Sequence, residues 1–260
     1  MRWSFFFLLT ILAAGVLPVS AQPSSSSNTY VFPLFADGTG SGISYRSVLR
    51  ITKTSTTNPL QCTLTQRNTS APFIGVDGNF YYADVFDGGF SPPALTQITL
   101  DQFLPFEILR TNAQSPLKTG YAKLSCAGAV DAQLQLSTSD KDNKLGEATI
   151  APATAGTEFQ FLIDRRDGTR FGFSLANDSE TFGQFSIIAR DQFNFEVDRA
   201  YEMIEPWSQV SGFVDQMLTL PADFVGSIQV VELSGGPNYV VGYQFTGTVF
   251  TTIQPLVGAR

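Results

Sequence analysis

The chain has 260 residues, 43% of them hydrophobic and 15% charged. So low a charge content excludes a coiled coil or a long disordered polyelectrolyte. The net charge of -7 leaves nothing basic enough to bind nucleic acid through its phosphates. There is no histidine, which removes Ser-His and Cys-His nucleophile pairs and every histidine metal site.

Residues 1–21 read as a secretory signal peptide. Arg2 supplies the positive start, Phe5 to Val16 the apolar core, and Val19-Ser20-Ala21 the small residues before a cut after Ala21. The core is shorter than the roughly 20 residues that cross a bilayer. The expectation is export without stable membrane insertion. Residues 22–29 (QPSSSSNT) follow as a Ser-rich tether.

From residue 30 onward the chain reads as short strands separated by Asp-Gly, Gly-Gly and Asn-Asp turns. Ser47, Leu49 and Ile51 alternate with Val48, Arg50 and Thr52, and Phe171, Phe173 and Leu175 alternate with smaller residues. The pattern predicts an all-β protein of antiparallel sandwiches. It also runs twice. Arg46–Ser55 aligns with Arg170–Ser179, Cys62–Gln66 with Phe185–Ala189, and Gly120–Cys126 with Gly226–Glu232. Leu134–Leu136 aligns with Tyr243–Phe245, and Ala148–Pro152 with Thr251–Pro255. Two β-sandwich domains are expected, over 30–153 and 157–260, with Ala151–Gly156 as a flexible hinge. Val210, Phe213, Val214, Met217 and Leu218 have helical spacing behind Ser208, which predicts one short helix in the second.

Cys62 shares its phase with Leu64, and Cys126 with Leu124, so both point inward. In an oxidising compartment a disulfide is expected, resembling the intersheet bridge of immunoglobulin-like domains. Closing a loop of about 65 residues contributes roughly 4 kcal/mol in the chain-entropy model. The second copy has Phe185 and Glu232 at those places.

Catalytic patterns are weak, and nothing calls for a cofactor or a metal. Ser115 to Lys118 matches S-x-x-K and Lys118 to Gly120 matches K-T-G, but the two share one lysine and Pro116 precedes a strand. Asp140, Asp142 and Asn143 resemble a calcium loop with its glycine misplaced, so a hairpin turn is expected. Glu196, Asp198, Glu202 and Glu205 offer the carboxylate pair of a hydrolase, the weaker alternative for function. Asn68-Thr-Ser70 and Asn177-Asp-Ser179 are glycosylation sequons. The second copy has nothing like residues 77–93, where Tyr81, Tyr82, Phe86 and Phe90 stand among Asp84, Asp87, Gly and Pro. Aromatic faces there suit stacking on sugar rings, with the aspartates accepting from hydroxyls. The same face suits an extracellular protein, and it suits equally an extra hairpin that covers core.

The order FPLFADG, a Leu/Ile strand, Cys62-Thr-Leu, LKTGYAKL, and a second round ending VFTTIQP resembles a group of bacterial secreted proteins. Those carry tandem immunoglobulin-like β-sandwich repeats. The resemblance covers nearly all of 30–256 and implies a sandwich fold and an extracytoplasmic location, but no reaction. The expected function is adhesion or binding outside the cell, without catalysis. A carbohydrate-binding module using residues 77–93 is the first alternative.

Overall fold

The computed structural model describes residues 28–40, 42–69, 72–74, 80–82, 94–100, 106–109, 117–140, 143–247 and 249–258. The first half forms an eight-stranded sheet. Its order is β10 (Asn143–Ile150), β9 (Val130–Asp140), β2 (Ile43–Lys53), β1 (Asn28–Gly40), β8 (Lys118–Cys126), β3 (Leu60–Thr69), β6 (Ala94–Leu100), with β7 (Phe106–Leu109) on β2. β1 joins its two parts. Residues 28–37 pair with β8 and Gly38–Gly40 pair with β2, the change made at Gly38 with φ 108, a region that suits glycine. β4 (Pro72–Ile74) and β5 (Phe80–Tyr82) form a separate ribbon.

The second half has two sheets. One runs β11 (Ala155–Gly156), β18 (Asn238–Thr246), β13 (Arg170–Asn177), β16 (Ser208–Phe213), with β19 (Val249–Ile253) on β18. The other runs β15 (Glu196–Ile204), β14 (Gly183–Asp191), β17 (Val225–Ser234), β12 (Glu158–Asp164), β20 (Leu256–Gly258). Every strand pairing described is antiparallel, so the chain is all-β with one short helix, α1 (Val214–Met217).

The pairing order recurs. β10-β9-β2-β7 in the first half has the order of β19-β18-β13-β16 in the second, and β1-β8-β3-β6 has that of β12-β17-β14-β15. The register recurs too. Cys62 faces Cys126 across β3 and β8, and Phe185 faces Glu232 across β14 and β17. One aligned segment slips. Leu49 faces Leu134, whereas Phe173 faces Gly242, so Leu134 corresponds to Gly242 and not to Tyr243. A slip of one residue reverses the face on which every side chain lies.

The reversal decides where the cores meet. The inner faces of the second half's sheets share one core, with Phe159, Phe161, Phe173 and Phe185 fully buried. Each contributes roughly 1.5–3 kcal/mol. Tyr243, Val241 and Phe250 instead join the core of the first half, beside Leu34, Tyr45 and Leu136. Gly242 is what faces inward, and a Cβ there would stand 2.7 Å from the Phe161 ring.

The expected flexible hinge is pinned. The Ala153 N–H donates to the Val31 carbonyl at 2.8 Å, and Ala155 and Gly156 pair with Tyr239 and Asn238. The expected helix is shorter than its spacing suggested, because Ser208–Phe213 completes a six-rung ladder with β13 that places Ser208 opposite Asn177. A ladder of that length outweighs a weak local preference containing Val210, Ser211 and Gly212. Asp215 in α1 then receives the guanidinium groups of Arg165 and Arg170, each at 3.0 Å.

Candidate functional site

The disulfide forms between Cys62 and Cys126, both buried. It does not cross between sheets as an immunoglobulin-like bridge does. It joins directly opposed residues of neighbouring strands, because both cysteines point into the core from paired positions.

Of the aromatic insertion, Tyr81 and Tyr82 lie on β5, where they pair with Phe73 and Pro72. Phe86, Phe90, Asp84 and Asp87 lie outside the described residues. The ribbon stands beside β16 of the second half. It occupies the connection from β3 to β6, and the equivalent connection from β14 to β15 is the tight turn at 192–195. That turn is tied by Asp191, whose carboxylate accepts the N–H groups of Phe193 and Phe195 at 2.9 Å.

The carboxylate cluster is distributed along β15 and the turn after it. Glu196 accepts from Arg199 at 2.6 Å, and that guanidinium holds its carboxyl below the usual range. Asp198 accepts the N–H groups of Thr219 and Arg199, which lower its carboxyl as well. A glycosidase acid needs the opposite shift. Glu202 is raised, by burial, where it faces Phe185. Glu205 is exposed. Charges that point inward along a free edge strand are a known guard against edge-to-edge pairing.

Asn143 pairs with Asp140 across a hairpin, and no group of three metal-ligating carboxylates or cysteines occurs among the described residues. Lys118 opens β8, opposite Asp37, and Ser115 lies outside the described residues. Asn177 is fully buried, with its amide donating to the carbonyls of Thr181 and Glu205, so this sequon is closed in the folded chain. The side chain of Asn68 lies outside the described residues.

Two places carry no short-range signal. At the junction of the halves Asp178, 3% exposed, accepts from the Tyr121 hydroxyl at 2.9 Å and from the Lys123 ammonium at 2.6 Å. Burial first, then Asp178, pushes the Tyr121 phenol far up, and Tyr239 beside it is raised for the same reasons. Trp207 closes the corner with φ 56, an uncommon value for a tryptophan, held by its N–H on the Ser179 carbonyl and by the Arg67 guanidinium 4.5 Å over its ring. The second place is an open groove of about 550 Å3 between β12, the start of β17 and the turn after β14. Gln160, Asp164, Asp191 and Asn194 line it. Its floor requires Gly226, since a Cβ there would meet the Arg190 carbonyl at 2.0 Å. Both places depend on strands far apart in sequence, so only the paired register brings them together. The chain matches no protein-family model and no curated protein.

Proposed function

We propose that this chain is exported and serves outside the cell as a non-catalytic binding protein, adhesive in role. It is built from two copies of one immunoglobulin-like β-sandwich, with Val241, Tyr243 and Phe250 of the second packed into the core of the first. The shared pairing order of the halves supports the duplication, and the signal-like residues 1–21 support export. The observation that carries binding is the β4–β5 ribbon. The scaffold's equivalent connection needs only a tight turn, so the β4–β5 ribbon is an addition that the fold does not require. Loops set on a rigid scaffold are where binding concentrates.

The ligand is an extracellular glycan or protein held by Tyr81, Tyr82 and their aromatic neighbours. Screening the mature chain on glycan and matrix-protein arrays tests this. Binding that disappears in the Tyr81→Ala, Tyr82→Ala double variant, with thermal unfolding unchanged, is the expected result. Turnover of a glycosidic or ester substrate by the purified chain would overturn it, as would ligand binding indifferent to both tyrosines.

A further inference from the structure

We propose that the open groove between β12, the start of β17 and the turn after β14 binds a neutral oligosaccharide. The site is separate from the β4–β5 ribbon, and the inference does not rest on the ligand read for that ribbon.

The groove lies where the second copy departs from the first. Gly120 and Gly226 are equivalent glycines, and they face Phe35 on β1 and Ile163 on β12. β1 runs on from Phe35 to Gly40 and passes into its pairing with β2, whereas β12 stops at Asp164. Beside the end of β12 the groove measures about 550 Å3. Sites for small ligands span about 300–1,000 Å3.

Its walls carry unused hydrogen-bonding groups. Gln160 on β12, Gln192 and Asn194 in the turn, and Gln244 on β18 of the facing sheet line it. None of their side-chain amides bonds to another described residue. Gln160 and Gln244 are half-buried, where an amide without a partner costs more than it does in open water. Gln229, which faces Gln160 across the ladder, is by contrast held by the Arg190 guanidinium at 2.9 Å.

Charge selects a neutral ligand. Asp164 accepts from Arg166 at 3.0 Å, and Asp191 accepts the N–H groups of Phe193 and Phe195. No lysine or arginine is in the lining, so an anion would meet two carboxylates there. A cation would have to displace Arg166 from Asp164.

The shape is fixed in advance. Gly226 and Ser227 of the floor are paired on both sides, with β12 and β14. The turn is closed by the Arg190 guanidinium on the Asn194 carbonyl at 3.3 Å. A preformed site avoids the ordering cost of binding. The same turn holds Phe193 and Phe195 on either side of Asn194, both 70% exposed. A pyranose presents hydroxyls at its edge and C–H bonds on its faces. Carboxamides donate and accept together, which matches adjacent hydroxyls, and phenyl rings at the rim match the C–H faces. A peptide anchors through side chains seated in apolar pockets, and polar residues outnumber apolar ones in this lining.

Titration calorimetry of the mature chain tests the proposal. The probes are neutral hexasaccharides of glucose, mannose, xylose and N-acetylglucosamine, with a hexasaccharide of galacturonic acid as the charged control. At least one neutral probe should bind, and the uronic acid should not. Asn194→Gly, which suits the φ of 68 there, should weaken binding about tenfold, the loss of one carboxamide's hydrogen bonds. Phe193→Ala should also weaken it, and both variants should unfold as the parent does. The Tyr81→Ala, Tyr82→Ala double variant should keep this sugar while it loses the ribbon's own ligand. Were the sugar the chain's only ligand, the groove would stand and the reading of the ribbon would fall. No binding of any neutral probe at millimolar concentration overturns the proposal. So does binding that both groove variants leave unaltered, or that the tyrosine variant removes. Tighter binding of the uronic acid overturns it as well, and so does a peptide from a display library that holds the groove against every sugar.

Discussion

At one rung that holds the same place in the pairing order of both halves, the molecule fills the space in two ways. The first half sets Ile98, Cys62 and Cys126 side by side, and the second sets Glu202, Phe185 and Glu232 there. In one the strands are tied by a covalent bond. In the other a fully buried phenyl ring fills the space, and Gly183 leaves room for it, since a Cβ there would stand 2.7 Å from the ring. The half that carries the long β3–β6 connection is the half that carries the disulfide. That agrees with the entropic view of cross-links, in which longer loops gain more from closure. A rung in a β-sheet core thus needs filling or tying, and the choice follows the length of chain that must be closed.

The largest effects should come from that rung. Replacing both cysteines by serine should cost about 4 kcal/mol, the loop-closure figure for this spacing. Phe185→Ala should cost about 3–5 kcal/mol through the cavity it leaves. Urea unfolding of the two variants decides the comparison. If the cysteine pair costs under about 1 kcal/mol, below the usual range for a native bridge, the rungs are not equivalent in energy. The next effect tests whether the halves are one body. Asp178→Asn leaves Tyr121 and Lys123 without their carboxylate, and breaking so buried a pair costs about 3 kcal/mol. Calorimetry should show one transition in the parent and an earlier, broader one in the variant. Two separate transitions in the parent would break the reading of a shared core.

Alkali should act on the junction before it acts on either core. Tyr121, Tyr239 and Tyr243 are all raised, chiefly by burial, and all face the seam. Raised phenols favour the neutral form in the fold. Their contribution is complete below the unfolded value near pH 10 and is lost as the pH rises past it, because the unfolded chain ionises first. The unfolding midpoint should therefore be level through neutral pH and fall above about pH 10. Tyr243→Phe should make that fall shallower. An unchanged slope would place the titrating groups elsewhere.

Much of this architecture was legible in residue order, because strand phase and pairing phase are the same property. Four of the five aligned segments fall on equivalent strands in matching register, and the inward phase of both cysteines was readable from Leu64 and Leu124. The slip at β18 has a physical cause. Val240, Val241 and Tyr243 are all buried, so the strand has no polar face to fix its phase, and Gly242 supplies no side chain to mark the inner one. Tyr243 and Phe245 then look like core of their own half. The helical spacing at 210–218 misled for a related reason, since a strand buried on both faces has no clean period of two. The Asp178 corner left no trace in the sequence beyond a sequon, because its partners Tyr121 and Lys123 are distant in the chain and meet it only once the halves are packed.

The smallest effect sharpens the comparison most, because it changes one atom at the same rung. Glu202 stands where the first half has Ile98, and burial raises its carboxyl above the ordinary value. A raised carboxyl favours the protonated form in the fold. Its contribution is complete below the unfolded value of about 4.3 and is lost as the pH rises through the folded one. At neutral pH the charged side chain is therefore a small cost, discounted because it is half in water. Glu202→Gln should leave stability at pH 3.5 unchanged and raise it at pH 7 by about 0.5 kcal/mol, measured as the shift in urea midpoint at the two values. A loss at pH 7 would mean that the charge is stabilising in place, and that this rung is built around its acids rather than merely tolerating them.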